Sequence, residues 1–232
     1  MHFPTSRNLR NYIIRLFICI AGLFLFAVGT VFTFRSNMGL GPWDVLHLGI
    51  SRHTPLSFGQ ANIVVGAIVI LAGLFLRLYP GIGTILNMVL IGIFVDLQLR
   101  WNWLPDFSNA SLLVRLLIDA AGVFITGIGT ALYISPRLGA GPRDGLMMRL
   151  HTITKHRIAI VRAILECSAL IVGFFLGGTV GIGTLIFAFG VGPCVEVGFY
   201  VIKRFLLLTG FGRVEIQEGE RKSGQEVMRS VE

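Results

Sequence analysis

The chain has 232 residues, of which 54% are hydrophobic and only 14% are charged, and its mean hydropathy is +0.77. This composition excludes an ordinary soluble domain and indicates an integral membrane protein, with the lipid bilayer as its surroundings. The formal net charge of +8 is carried mainly by loops and tails, so no nucleic-acid partner is expected.

Six apolar stretches reach or approach the ~20 residues that a helix needs to cross the hydrocarbon core. Transmembrane strands would instead alternate apolar and polar residues over ~10 positions, whereas these stretches are apolar on every face. We therefore predict an all-α, polytopic helical membrane protein whose first stretch is a retained anchor. In chain order the stretches are 12–34, 61–76, 82–99, 112–134, 158–176 and 182–202.

A shift of 100 residues aligns the chain with itself. Residues 22–100 lie over 122–200 without a gap, and 19 of the 79 pairs are identical. The matches concentrate in two motifs, 39–44 over 139–144 and 81–84 over 181–184. A duplication of this kind predicts two structural units that bracket a site near the bilayer midplane.

Equivalent loops of the two repeats differ in charge. Segment 135–157 carries five Lys or Arg residues, whereas segment 35–57 carries two. Because basic loops stay in the cytoplasm, the two loops are predicted on opposite sides of the membrane. Three full spans per repeat, with the second copy inverted, satisfy this requirement.

The predicted organisation is a tail, two transmembrane repeats and a second tail. Both tails are expected in the cytoplasm, because the segments that flank the first and last spans are basic. In an alternative arrangement the short segments 42–54 and 142–154 also cross, which gives eight spans and parallel repeats. As helices these segments cover less than ~20 Å, well short of the hydrocarbon core, so six spans are preferred. The boundaries are 1–11, 12–101, 112–204 and 205–232.

Each of these short segments has the residues of a helix start. A Gly-x-Gly break precedes a Pro, which suits the first helical position. A half-length helix that begins at an irregular break can expose backbone groups to a cavity. One such helix per repeat is therefore predicted, after the break residues Gly39, Gly41, Pro42, Gly139, Gly141 and Pro142.

Asp44 and Asp144 are the leading candidates for a binding site, because identical acids occupy equivalent positions beside each break. They predict a shared polar site. The alternative is that each carboxylate only stabilises the positive end of its own helix, which contributes ~0.3–1 kcal/mol.

Four further charged residues lie within apolar stretches. Asp96 and Glu196 are equivalent, and Arg162 and Glu166 are four residues apart. A charge at a helix centre costs ~2.5–3.5 kcal/mol, which favours a partner, a cavity or a place near the interface. Arg162 and Glu166 are expected to pair or to face the bundle interior, and Asp96 and Glu196 to lie near the interface.

Trp43 in one break is replaced by Arg143 at the equivalent position of the other. If the two motifs meet at one cavity, an aromatic ring and a guanidinium would suit an organic anion or an amphipathic molecule. The alternative is an interfacial Trp anchor and an Arg that marks the cytoplasmic side.

The second motif is predicted to pack helices closely, since small residues dominate contacts between helices in bilayers. Its residues are Gly81, Gly83, Thr84, Gly181, Gly183 and Thr184. Arg115 and Asp119 are also four residues apart, and we expect a helix-surface pair there. No catalytic motif is present, so an enzyme is not expected, and neither the Cys nor the His spacing predicts a metal site or a cofactor.

The run 38–46, followed by 57–59, 80–87 and 92–96, resembles the YczE/YyaS/YitT group of bacterial membrane proteins. The second half departs from this pattern, with Arg143 for Trp43 and Phe187 for Asn87. The resemblance implies a polytopic helical protein of the bacterial cytoplasmic membrane. It brings no established activity and no set of functional residues.

The leading hypothesis is a small transporter-like protein for a solute or ion, with a site where the two breaks approach each other. The alternative is a membrane scaffold or accessory protein that binds a partner protein or a lipid. Because six spans form a modest bundle, a homodimer is a further expectation.

Overall fold

In a computed structural model of the protein, residues 6–208 are described, with side chains for 9–204. Residues 6–11 of the predicted tail 1–11 belong to the first helix, and the predicted tail 205–232 lies outside the described residues beyond 208. Within the described part the chain forms eight α-helices and no strands. They are α1 (Ser6–Ser36), α2 (Pro42–His53), α3 (Phe58–Phe75), α4 (Ile82–Trp101), α5 (Leu112–Ile134), α6 (Pro142–Thr154), α7 (Ile158–Phe175) and α8 (Ile182–Leu208).

Six of the described helices are long and apolar enough to cross a membrane, namely α1, α3, α4, α5, α7 and α8. The prediction of an all-α membrane protein with six candidate spans is therefore confirmed. The helices α2 and α6 have 12 and 13 residues, which is about 20 Å or less at 1.5 Å per residue.

The centre of the bundle is the antiparallel pair of α1 and α5. Ser36 at the end of α1 hydrogen-bonds Asp119 near the start of α5, at 2.9 Å. Gly22, in the middle of α1, approaches Tyr133 at the end of α5. Residue numbers therefore rise along one helix as they fall along the other. Around this pair, α4 packs on α1 and α3, α8 packs on α5, and α2 and α6 each pack on α3 and α7.

The prediction that Arg115 and Asp119 form a pair on the helix surface is wrong. Asp119 is fully buried and hydrogen-bonds the hydroxyl of Ser36. Arg115 donates instead to the backbone carbonyls of Ser36 and Asn37. The last turn of α1 presents carbonyl oxygens that lack helical donors, and a guanidinium reaches these more readily than the buried carboxylate.

The helix breaks follow α1 and α5. Gly39 and Gly139 have φ of +113° and +134°, a region that disfavours a Cβ atom. Pro42 and Pro142 then begin α2 and α6. Residues 37–41 after α1 and residues 135–141 after α5 thus turn the chain from a long helix into a short one.

Backbone hydrogen bonds hold each break against the start of a distant helix. The N–H of Gly183 in α8 donates to the carbonyl of Met38 in the first break at 2.8 Å. The N–H of Gly83 in α4 donates to the carbonyl of Leu138 in the second break at 2.9 Å. These bonds join groups that two interrupted helices would leave unpaired.

The conformation at the first break predicts the effect of a small substitution. Gly39→Ala places a Cβ 2.5 Å from the backbone nitrogen of Gly181 and in a φ region that costs a further ~1–3 kcal/mol. We expect a lower apparent Tm of the detergent-purified protein. At Gly190 in α8 a Cβ would meet only the side-chain tip of Val123, at 3.3 Å, and Ala is favoured over Gly in a helix by ~1 kcal/mol. The control Gly190→Ala should therefore melt close to the wild-type temperature, and equal losses in both variants would contradict this account.

Candidate functional site

A cavity of about 400 Å³ lies between the two helix breaks. Its size is typical of small-molecule sites. The breaks contribute Gly41, Pro42, Trp43 and Asp44 from one side and Gly141, Pro142, Arg143 and Asp144 from the other. Side chains of α1, α3, α4, α5, α7 and α8 complete the lining, so the cavity collects residues from both halves of the chain.

Arg143 is the hub of the polar contacts in this cavity. Its guanidinium carbon lies 4.8 Å from the centroid of the Trp43 ring, in cation–π contact. Its Nη2 donates to Oδ1 of Asn62 at 3.2 Å and contacts Nε2 of His47 at 3.2 Å. Trp43 and Arg143, which occupy equivalent sequence positions, thus touch each other across the two breaks.

His47 links Arg143 to Asp44. A guanidinium can only donate hydrogen bonds, so Nε2 of His47 must be the acceptor of its contact with Arg143. The hydrogen of the neutral ring is then on Nδ1, which lies 3.3 Å from Oδ1 of Asp44. His47 is fully buried and its ring also packs edge-on against Phe58. This tautomer satisfies both ring nitrogens without adding a charge.

Asp144 has a different partner. The hydroxyl of Tyr133 in α5 donates to Oδ2 of Asp144 at 3.0 Å, and Tyr133 is buried. Neither Asp44 nor Asp144 hydrogen-bonds a backbone N–H of its own short helix among the contacts of the described residues. Both carboxylates are held by side chains of the cavity wall.

The remaining charges of the cavity come from α7 and α8. Nε of Arg162 donates to Oε1 of Glu166 at 2.7 Å, so these residues both pair with each other and line the cavity. Glu196 also lines it and is exposed. The lining therefore holds four carboxylates and two guanidiniums, in Asp44, Asp144, Glu166, Glu196, Arg143 and Arg162.

Asp96, the equivalent of Glu196, is not part of the cavity lining. Its carboxylate accepts from the backbone N–H of Gly59 at 2.8 Å and from the hydroxyl of Ser57. It thus caps the first turn of α3, where Ser57 and Gln60 also form a capping box. The two equivalent acids have different surroundings in the two halves.

The Gly-Ile-Gly-Thr motifs form the beginnings of α4 and α8, where these helices contact the breaks. A Cβ on Gly81 would approach the carbonyl of Leu138, and one on Gly181 would approach the carbonyl of Met38. The hydroxyl of Thr84 donates to the carbonyl of Ala140 at 2.6 Å, and that of Thr184 accepts from the N–H of Gly181 at 3.2 Å. These residues lie close to the backbone of the breaks, and none of them lines the cavity.

Two residues of the site, His47 and Tyr133, did not emerge from the sequence. The signal for His47 is its spacing, because it follows Asp44 by three residues and so shares its helix face. Nothing in the sequence marks Tyr133, which reaches Asp144 only because the break reverses the chain after α5. Among the residues with described side chains, no group of three or more His, Cys, Asp or Glu is placed to hold a metal ion.

The chain has relatives in Bacillus subtilis and Haemophilus influenzae. Residues 13–199 match a family described as a family of unknown function, DUF6198. The chain is 37% identical over 171 residues to a protein of Bacillus subtilis named "Uncharacterized membrane protein YczE", covering 72% of this chain and 77% of that one. A second Bacillus subtilis protein, "Uncharacterized protein YyaS", is 26% identical over 191 residues, which cover 80% and 92% of the two chains.

A third relative, an uncharacterized protein of Haemophilus influenzae, is 35% identical over 187 residues, 81% of this chain and 84% of its own. No solved structure matches the chain. The predicted resemblance to YczE and YyaS is confirmed, and the names and helices agree on a multi-pass membrane protein.

The bond between Tyr133 and Asp144 predicts a matched pair of stability effects. Tyr133→Phe removes the hydroxyl donor from a carboxylate of the cavity, and the loss should cost ~1–3 kcal/mol. Tyr79 is 81% exposed, so the control Tyr79→Phe should change stability by no more than ~0.5 kcal/mol. Thermal unfolding of both variants in detergent checks this, and an unchanged Tm for Tyr133→Phe would contradict the role of the bond.

Proposed function

The chain belongs to the DUF6198 family, and from this premise we propose that it is a transporter for a small solute, which binds in the cavity between the two helix breaks. The observation that carries the proposal is the convergence of both breaks, with Asp44 and Asp144, on one cavity of about 400 Å³. In membrane proteins, irregular backbone is tolerated where it is buried or lines a cavity. Paired broken helices at such a place are typical of secondary transporters.

Reciprocal contacts support two structural repeats. The start of α8 bonds the first break, and the start of α4 bonds the second. The two donor residues are 100 positions apart, and so are the two acceptor residues. Likewise α2 packs on α7, and α6 packs on α3. Each contact becomes the other when 100 is added to its residue in the first repeat and subtracted from its residue in the second, as a two-fold relation between repeats requires.

The direction of α1 and α5 supports inversion of the second repeat. These helices are equivalent under the 100-residue shift, and their contacts run antiparallel, from Ser36–Asp119 at one end to Gly22–Tyr133 at the other. If α1 leaves the cytoplasm, α5 therefore enters it. We place both termini in the cytoplasm of a bacterial cell, with the protein in the cytoplasmic membrane, on this basis and on the distribution of Lys and Arg.

The charge of the cavity supports a cation as the solute. Four carboxylates face two guanidiniums, and the geometry of His47 adds no positive charge. The pair of Arg162 and Glu166 is neutral overall, which leaves Arg143 against Asp44, Asp144 and Glu196. A cationic solute would balance this excess of negative charge, whereas an anion would increase it.

The acids of the two breaks predict which solutes bind. In a thermal-shift screen of the purified protein against ammonium-type and metal cations, carboxylates and neutral solutes, stabilising solutes should be cations. A solute at a hundredfold excess over its Kd stabilises by about 2.7 kcal/mol. Asp44→Asn and Asp144→Asn should each remove most of this shift and slow uptake of the same solute into proteoliposomes.

Asp106→Asn is the control for these variants, because Asp106 is exposed and lies outside this cavity. It should bind and transport as the wild type does. Normal uptake in both cavity variants would contradict the proposal. A protein that acts only as a scaffold would be stabilised by no solute and would instead retain a stoichiometric partner on cross-linking.

The inverted arrangement predicts the sidedness of two exposed loops. Tyr79 follows α3 and Val180 follows α7, at nearly equivalent positions of the two repeats, and both are exposed. In a variant whose three cysteines are replaced by Ala, Val180→Cys should react with a membrane-impermeant thiol reagent in intact cells. Tyr79→Cys should react only after the membrane is permeabilised, and labelling of both positions from one side would contradict inversion.

A further inference from the structure

The two halves of the bundle differ in how their last two long helices meet. In the first half α3 packs against α4. In the second half α7 and α8, the equivalents of these helices, make no comparable contact over their described residues, although α8 packs on α5 just as α4 packs on α1. Both α7 and α8 nevertheless line the cavity. The cavity is therefore bordered by a gap at a place where the other half is closed.

Specific contacts close the first half. The backbones of Gly59 in α3 and Gly92 in α4 are so close that a Cβ on either residue would overlap the carbonyl of the other. Asp96, one turn beyond Gly92, accepts hydrogen bonds from the N–H of Gly59 and the hydroxyl of Ser57. A carboxylate of α4 thus seals the first turn of α3, where free N–H groups and the helix dipole favour an anion.

The equivalent positions of the second half are apart. A Cβ on Gly192 meets nothing within 4 Å, and Ala159, the equivalent of Gly59, is exposed. Arg157 precedes α7 without any side-chain cap. Glu196 is exposed, and no described side chain hydrogen-bonds it. An acid and an uncapped helix start thus face the same gap.

We propose that the gap between α7 and α8 is an open gate to the cavity, that the α3–α4 contact is its closed counterpart, and that Glu196 closes the gate by binding the first turn of α7 as Asp96 binds α3. This inference rests on the proposed function. With the termini in the cytoplasm, the starting end of α7 faces the cytoplasm and that of α3 faces outward. The structure is then the inward-open state of the transporter.

The chemistry of the open half fits this closed state. Closure brings a carboxylate to the N–H groups of residues 158 and 159 and to the guanidinium of Arg157, which stands where α3 has Ser57. The side chain of Glu196 is one methylene longer than that of Asp96, and an Ala at 159 in place of Gly59 holds the backbones further apart. Arg162 is already paired with Glu166 at 2.7 Å, so it does not compete for Glu196.

Cysteine trapping tests closure directly. In proteoliposomes, a variant lacking Cys19, Cys167 and Cys194 receives the pair Ala159→Cys and Gly192→Cys, the equivalents of the touching residues Gly59 and Gly92. A disulfide accumulates even when the closed state is a minor one, because each bond formed removes that conformer from the equilibrium. We expect cross-linking of this pair under mild oxidation. The control pair Ala159→Cys and Val197→Cys, whose α8 position is 46% exposed and outside the cavity lining, should cross-link far more slowly.

The role of Glu196 has its own readout. Glu196→Gln removes the charge that the start of α7 attracts, and we expect the cross-linking rate of the 159–192 pair to fall roughly two- to thirty-fold. Glu196→Asp should restore part of the rate, because it keeps the carboxylate. A purely structural role of Glu196 would lower the Tm of the uncross-linked protein, whereas a gating role leaves that Tm close to wild type.

The possible failures are distinct. A 159–192 pair that cross-links no faster than the control pair overturns the gate, even if a cation binds and crosses the membrane. Cross-linking that is unaffected by Glu196→Gln overturns the role of Glu196. Failure of the proposed function would appear instead as normal uptake in Asp44→Asn and Asp144→Asn, measured without any cysteine pair.

Discussion

The constraint on which the structure depends is that two interrupted helices must pair their backbone groups in surroundings without water. A break after α1 and another after α5 free N–H and C=O groups, and each unpaired group is costly in an apolar medium. The bonds from Gly183 to Met38 and from Gly83 to Leu138 meet this need. Because each break is completed by a helix that begins about 55 or 145 residues away, the two halves are tied to each other rather than folded separately.

These hydrogen bonds between the two halves determine where polar side chains can gather. The short helices begin at the breaks, so the residues of their first turns face the space between the halves. Arg143 reaches across this space to Trp43, His47 and Asn62, and Tyr133 supports Asp144. A charge cluster of this kind would be unstable in lipid, but within the bundle every strongly buried member has a partner. The less buried members, Glu196 above all, lie toward the gap between α7 and α8.

Much of the fold was predictable because its causes are local. Hydrophobic length sets the six long helices, and Gly-x-Gly-Pro sets the starts of α2 and α6 at the predicted residues. The convergence of Asp44 and Asp144 on one cavity followed from the repeated motif. The expectation for Arg115 and Asp119 failed because spacing along one helix does not show that Ser36 of another helix will bury the acid.

The same limit applies to the parts of the site that depend on tertiary packing. Asp96 and Glu196 are indistinguishable by sequence position, yet one caps a helix and the other lines the cavity. Their difference arises from how α3 meets α4 and α7 departs from α8. The participation of Tyr133 likewise depends on the reversal of the chain at residues 135–141. Neither the pattern of apolar residues nor the repeat contains this information.

The central claim, that the space between the breaks is a binding site, is tested most directly by the fluorescence of Trp43. This ring lies in the cavity wall, whereas Trp101 and Trp103 are exposed and can be replaced by Phe to leave Trp43 as the sole reporter. A cation that raises the Tm should change the Trp43 emission along the same saturation curve, and Asp44→Asn with Asp144→Asn should abolish both effects. Stabilisation by a solute that leaves the Trp43 emission unchanged would place the binding elsewhere and contradict the account.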